Sequence, residues 1–269
     1  MLTLIPTPIG NIGDITFRAL ELISNANLIL CEDTRVTKHL ISILKDRYNL
    51  TLNEGVDFLS FHEHNQKERL EQIKERLKTQ NVIYMSDAGM PVISDPGQLL
   101  VKFAQEENIE YDILPGASVA PLIYAASGFE SGKFFFYGFL PSRGKERLNE
   151  LNSILSSGLD TIIYEAPHRL IKLLEEISSI DENRVVFAGK ELTKKFQKYY
   201  KASAKELLNT LKSSSIKGEW ALVIEGKKEE KSTLSLDEIK ALDIPPKPKA
   251  KLIAKITGKS IKECYEQLL

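Results

Sequence analysis

The chain has 269 residues, 42 % of them hydrophobic and 27 % charged, with a net charge of −1 at pH 7. This is the balance of a globular protein with a sizeable core, in one large or two modest domains. It excludes binding to a polyanion through overall charge, so any nucleic-acid contact must come from local basic patches. With only Cys31 and Cys264, neither a disulfide framework nor a cysteine-based metal site is indicated.

No apolar run approaches the roughly 20 residues that span a bilayer. The start, Met1-Leu2-Thr3-Leu4-Ile5-Pro6, lacks a basic segment and a cleavage site and reads as a first strand. A cytoplasmic protein without a membrane partner is expected.

In the first half, Leu2–Ile5, Asn27–Cys31, Phe58–Phe61, Val82–Ser86 and Tyr111–Leu114 read as strands. Phe17–Ser24, Glu68–Leu77 and Gln98–Gln105 read as helices; in the second, Leu70, Ile73 and Leu77 mark one apolar face. The alternation predicts a mostly parallel α/β sheet. Pro115-Gly116 closes the fifth strand, Ser118–Ala126 reads as helical, and Ser127–Gly132 marks a change of pattern.

In the second half, Phe134–Gly138, Thr161–Glu165, Arg184–Ala188 and Trp220–Glu225 read as strands, with Phe196–Lys201 as a further candidate. Helices are expected over Lys145–Leu155, Pro167–Ile177 and Ala204–Lys212. This order suggests more antiparallel pairing. Lys227–Thr233 reads as a polar linker. From Leu234 onward short helices are expected, and Ile244–Lys262 carries six lysines and no acid.

Strand ends hold the candidate chemistry, because open α/β sheets bind ligands outside the carboxyl ends of their strands. Val82–Met85 runs into Ser86-Asp87-Ala88-Gly89-Met90-Pro91-Val92-Ile93-Ser94-Asp95-Pro96-Gly97, whose glycines and prolines specify a fixed path that a ligand can approach closely. The first strand runs into Pro6-Thr7-Pro8-Ile9-Gly10-Asn11-Ile12-Gly13-Asp14, with Asp14 or Thr16 as a helix cap. The second ends in Glu32-Asp33-Thr34-Arg35, where charges at a strand end imply either an ion pair or catalysis. His62 and His64 follow the third strand, but two histidines without further ligands do not make a metal site.

No two of the 15 glycines are separated by a single residue, so the GxGxxG fingerprint is absent, and the sequence GxxxxGK[ST] of a phosphate-binding P-loop does not occur either. In the second half, Gly138-Phe139-Leu140-Pro141 and Tyr164-Glu165-Ala166-Pro167-His168-Arg169 end two strands. Between Phe187 and Lys205, Glu191 is the only acid among six lysines. That run fits either a solvated face or phosphate contact.

The segments PTPIGNIGDIT, EDTR, SDAGMPVISDPG, LPGAS, GFLP, YEAPHR, KELTKKF and the GEW strand occur in one order over residues 2 to 226. Together they resemble the small-subunit ribosomal RNA cytidine 2′-O-methyltransferases of the tetrapyrrole methylase-like group. Met90 and Ala117 depart from that pattern, which usually has Thr and Pro there. The resemblance implies two α/β domains, residues 1–118 and 119–228, with S-adenosylmethionine in the cleft between them. A small basic helical domain over residues 229–269 follows, and a homodimer is implied.

Carried over, the cofactor site comprises Pro8, Ser86, Asp87, Ala88 and Gly89, with Val92 and Ile93 beneath the cofactor, then Ala117 and Ser118. Phe139, Leu140, Glu165 and Ala166 supply the opposite wall. The implied reaction is methyl transfer to a ribose 2′-hydroxyl of small-subunit ribosomal RNA, without a metal. Candidates to handle the hydroxyl proton are Glu32, Asp33, Arg35, Glu165 and Lys190, the first three being favoured. A tetrapyrrole or other small-molecule methyltransferase on the same fold, and a non-catalytic RNA-binding ribosome assembly factor, are the alternatives.

Overall fold

A computed structural model describes residues 1–93, 97–227 and 236–268. Ser94-Asp95-Pro96 of the long loop and most of the expected linker lie outside the described residues. The chain forms two compact units, Met1–Lys227 and Lys228–Leu269.

The first half of the larger unit runs β1 (Leu2–Ile5), α1 (Phe17–Ser24), β2 (Leu28–Cys31), α2 (Thr34–Tyr48), β3 (Asp57–Ser60), α3 (Gln66–Thr79), β4 (Val82–Met85), α4 (Gly97–Glu106), β5 (Tyr111–Ile113) and α5 (Val119–Ser127). Its five strands are all parallel, in the order β3-β2-β4-β1-β5. The strands LTLI, LILC and VIYM are wholly buried, because helices cover both faces.

Alternation sorts the side chains between two cores. Leu2, Leu4, Leu28, Leu30, Val82 and Tyr84 pack on α3 and α4. Ile5, Ile29, Ile83 and Met85 pack on α1 and α2. Helix α2 was not expected from the sequence. Its buried stripe is only Thr37, Ile41 and Leu44, two of them β-branched, and Asp33 caps it by accepting the Arg35 N–H.

The second half runs β6 (Phe134–Phe139), α6 (Gly144–Ser156), β7 (Asp160–Glu165), α7 (Pro167–Ile180), β8 (Val185–Lys190), β9 (Lys198–Ser203), α8 (Ala204–Lys212) and β10 (Trp220–Ile224). The sheet order is β6-β7-β10-β8-β9, with only β6 and β7 parallel. Helices α6, α7 and α8 cover one face. Ala120 and Ile123 of α5 pack on the other, against Ile162, Phe187 and Val223. A register shift between Phe136 and Gly138, with Gly138 at φ +83°, bends β6 just before Phe139.

The smaller unit holds α9 (Leu236–Ala241), α10 (Pro246–Thr257) and α11 (Ile261–Glu266), closed around Ile239, Ala250, Ile253 and Cys264. Pro246 and Pro248 sit in the first turn of α10, where a missing N–H costs nothing. No helix among the described residues is long and apolar enough to cross a membrane.

Candidate active site

The carboxyl edge of the parallel sheet is knitted by the loops after β1 and β4. Thr7 and Gly89 form an isolated antiparallel bridge, each N–H donating to the other's carbonyl at 3.0 Å. The Thr7 hydroxyl donates to the Ser86 carbonyl at 3.1 Å, and the Ser86 hydroxyl to the Gly89 carbonyl at 2.7 Å. Gly89 lies at φ +84°, and a Cβ there would stand 3.1 Å from Ile9 Cγ2. Its main-chain polar groups are therefore spent on Thr7, and its contribution is a close approach between two loops. Val92, three residues on, is β-branched yet lies at φ +74°, a strained conformation held within the same loop.

Strand register sets a row of polar side chains along this edge. Ile5, Met85, Cys31 and Ser60 are partners on successive strands, so Thr7, Asp87, Asp33 and His62 each lie two residues beyond the paired ends. The Asp33 N–H donates to Asp87 Oδ1 at 3.3 Å. Asp33 accepts from Arg35 Nη2 at 2.6 Å and Nε at 3.1 Å, which holds its carboxyl down at about 2. Burial, reinforced by the nearby Asp33 charge, pushes the Asp87 carboxyl up from its ordinary value, against the pull of the Asp33 N–H. The Arg35 side chain is otherwise 90 % exposed, so the pair sits at the rim.

The second sheet supplies a facing wall. Ile9 of the first half meets Phe139, Tyr164, Ala166, Leu192 and Trp220 around a cavity of about 250 Å³. Burial pushes the Tyr164 phenol up to about 12, so it stays neutral there. Ile9 also borders a neighbouring cavity of about 300 Å³, with Gly116, Ala117 and Ser118. The halves touch where the Leu192–Lys194 turn lies on Gly10: a Cβ there would come within 2.8 Å of the Leu192 carbonyl and 2.6 Å of Thr193 Oγ1. The Asn11 N–H donates to Thr193 Oγ1 at 3.0 Å.

Of the residues singled out in the sequence, Phe139, Glu165 and Ala166 line the first cavity and Ala117 and Ser118 the second. Pro8 is half-buried beside them, and Ala88 is exposed on its turn. Ile93 is 47 % exposed. Leu140 is placed behind the wall, in the core against α6 and α7. The Glu165 carboxylate is buried, and its oxygens accept from Arg147, Arg169 and the Ala166 N–H. That geometry corrects its reading as a proton acceptor, since both oxygens are committed to the protein's own donors. Lys190 likewise donates to the Ser215 carbonyl at 2.6 Å and lies over the Trp220 ring.

Glu32 stands next to Asp33 at the end of β2. Ile9, Tyr164, Leu192 and Trp220 were not anticipated as site residues; a lone tryptophan on a strand next to the basic loop was the available signal. Among the described residues no group of three His, Cys, Asp or Glu is placed to hold a metal ion.

The family model of Tetrapyrrole (Corrin/Porphyrin) Methylases matches residues 1–208. The chain belongs to the tetrapyrrole methylase family. A relative from Campylobacter fetus subsp. fetus (strain 82-40), a ribosomal RNA small subunit methyltransferase I, is 46 % identical over 271 residues, covering all of both chains. The protein of that name from Helicobacter pylori (strain ATCC 700392 / 26695) is 41 % identical over 281 residues, covering 100 % of this chain and 98 % of its own. Among solved structures, a diphthine synthase superposes with a TM-score of 0.62 at 14 % identity, covering 83 % of this chain and 89 % of its own. A cobalt precorrin-4 methyltransferase does so at 0.58 and 17 %, covering 83 % and 94 %. At those identities the likeness shows the tetrapyrrole methylase fold alone, with its two α/β sheets. The protein is a methyltransferase by family, and its cavity lies where the carboxyl edge of the first sheet meets the second.

Proposed function

We propose that the protein transfers a methyl group from S-adenosylmethionine to the 2′-hydroxyl of a cytidine in small-subunit ribosomal RNA. The observation that carries this reading is the two-walled cavity at the knitted edge, in a chain 46 % identical over its full length to a ribosomal RNA small subunit methyltransferase I. The residues fit the cofactor. Aromatic and aliphatic side chains of Phe139, Tyr164, Trp220 and Ile9 suit a purine and its ribose, and the Thr7–Gly89 bridge keeps one wall at fixed height. S-adenosylmethionine, when bound, supplies a methyl group already activated on a sulfonium.

What remains for the chain is to hold the acceptor in line and to receive one proton. At this acidic corner Asp87, its carboxyl raised by burial and held by the Asp33 N–H, suits that task, while both Asp33 oxygens are taken by Arg35. The two aspartates stand at one level on adjacent strands, with Arg35 present to steady negative charge at the rim. Basic side chains outside the cavity, Lys195 and Lys198 among them, suit the RNA backbone.

The test is incubation with methyl-labelled S-adenosylmethionine and intact small ribosomal subunits, followed by nuclease mapping. Label on a cytidine ribose is expected. Label on a base, or transfer only to a small molecule, would overturn the reading.

A further inference from the structure

Arg147 is among the largest fully buried side chains of the described residues, 1 % exposed, and it occupies a core-facing position of α6 in line with Leu151, Ile154 and Leu155. A guanidinium there must be answered by charge and by hydrogen bonds. Its Nε donates to Glu176 Oε2 at 2.8 Å, its Nη2 to Glu165 Oε2 at 3.0 Å, and its Nη1 to the Pro141 carbonyl at 3.0 Å. Arg169 completes the group. Its Nε donates to Glu165 Oε1 at 2.6 Å and its Nη2 reaches the Leu140 carbonyl at 3.4 Å. Two arginines thus face two glutamates contributed by β7 and α7, with Lys172 reaching Glu176 from the rim at 3.8 Å.

The two carbonyls matter because of where they lie. β6 is the edge strand of its sheet and ends at Phe139, so Leu140 and Pro141 leave the sheet without a strand partner. Immediately before them Phe139 forms the cavity wall and packs edge-on against Tyr164, at 5.5 Å between ring centres. The arginines therefore tie together two segments of the second-sheet wall, the β6 end Phe139–Pro141 and the Glu165–Pro167 turn after β7. Apolar side chains of similar volume can fill a core as stably as buried ion pairs, but they cannot donate to main-chain carbonyls.

We propose that Arg147 is a positioning residue for the methyl-transfer site, setting the spacing of the two wall segments through Glu165. The proposal rests on the reading of this cavity as the S-adenosylmethionine site.

Arg147→Met alone leaves Glu165 with Arg169 only and Glu176 with Lys172 only, at 3.8 Å, and risks unfolding. Arg147→Met combined with Glu176→Gln keeps the charge balanced and the Glu165–Arg169 pair intact. Three quantities are measured on the full chain: melting temperature, S-adenosylmethionine affinity by calorimetry, and the emission of Trp220, the only tryptophan, which lines the same cavity. The double variant is expected to melt near the wild type, to bind S-adenosylmethionine on the order of tenfold more weakly, and to shift the Trp220 emission. Arg147→Lys, keeping the charge but not the planar fork that reaches three acceptors at once, should fall between.

Affinity within about twofold of wild type and unchanged emission, in a folded double variant, would overturn the proposal. So would affinity that falls only in proportion to the melting temperature. If the wild type itself binds no S-adenosylmethionine, the cavity reading fails, and the emission alone decides whether Arg147 sets the wall.

Discussion

Thr7 and Gly89 exchange both main-chain hydrogen bonds although they stand on loops 82 residues apart in the chain. This single pair closes the edge between β1 and β4 and holds Ile9 over the cavity. Gly89 is confined twice, by its φ of +84° and by Ile9 Cγ2.

Gly89→Ala should therefore cost about 1–2 kcal/mol from left-handed strain alone. Gly89→Val adds branching against Ile9 and should weaken S-adenosylmethionine binding roughly tenfold or more while leaving a folded chain. Calorimetry together with thermal melting checks both. Unchanged affinity in a folded Gly89→Val chain would remove this loop from the cofactor site.

Asp33 does two jobs that substitutions can separate. As the cap of α2 it accepts the Arg35 N–H at 2.8 Å, and as a charge it pairs with the Arg35 side chain. Asp33→Asn keeps the cap and should melt close to wild type at neutral pH, whereas Asp33→Ala, which loses the cap, should melt lower. Both should cut methyl transfer about tenfold, equivalent to roughly 1.4 kcal/mol in the transition state. Arg35→Ala, removing an exposed pair, should likewise lower transfer with little change in melting temperature. If activity follows melting temperature through the set, the group is structural only.

The pairing also fixes a pH dependence. The Asp33 carboxyl is lowered from 3.8 to about 2 in the folded chain. A depressed carboxyl favours the folded state above its unfolded value, and that contribution is lost as pH falls through the folded one. Any stability advantage of wild type over Asp33→Asn should be constant above pH 3.8 and disappear towards pH 2. Denaturant titrations across that window measure it, and an advantage that grows with acid would contradict the pairing.

The parallel half was readable because strands buried on both faces are continuous apolar runs, and their ends carried the Gly, Pro and acidic signals. Helix α2 escaped because its buried stripe is short and β-branched. Phe196–Lys201 was only a candidate strand, and the observed β9 runs two residues later, Lys198–Ser203, because it is an edge with little buried alternation. Strand ends named part of the cavity, yet Tyr164, Leu192 and Trp220 depend on antiparallel register and on which face α5 covers. Arg147 lies 18 residues from Glu165, and no local pattern links them. The one legible hint was an arginine on the apolar stripe of a helix.

Gly10 tests the contact between the halves. The Glu191–Lys194 turn holds Glu191 and Thr193 at positive φ, 51° and 63°, and Lys194 is anchored by Glu191 and Glu219 at 3.2 and 2.7 Å. A turn so fixed cannot withdraw from a new side chain. Gly10→Val should push Leu192 out of the cavity wall and lower S-adenosylmethionine affinity about tenfold, more than any loss of stability explains. Gly10→Ala should do so more weakly. Calorimetry at a temperature well below both melting points measures it, and equal affinity for all three chains would show that the turn yields.

The basic runs make the last case, because the structure divides their lysines. Within Lys190–Lys205, Lys190, Lys194, Lys201 and Lys205 are engaged with carbonyls or carboxylates of the chain itself. Lys195 and Lys198 are exposed and form no ion pair among the described residues. In α10, Lys247, Lys251 and Lys255 recur every four residues and share one exposed face, while Lys249 turns to the Lys240 carbonyl. Removing one lysine from a phosphate should flatten the log–log salt dependence of RNA affinity by nearly one unit. Lys195→Gln with Lys198→Gln should therefore lower the slope by about two and weaken binding most at low salt, with cofactor affinity intact. The α10 triple replacement should lower it by about three if that face meets RNA. Lys194→Gln should instead loosen the turn on Gly10, lowering melting temperature and cofactor affinity without changing the slope. Filter binding to small-subunit RNA across a salt series separates these outcomes. Slopes equal to wild type in both exposed sets would assign the basic runs to solvation rather than to RNA.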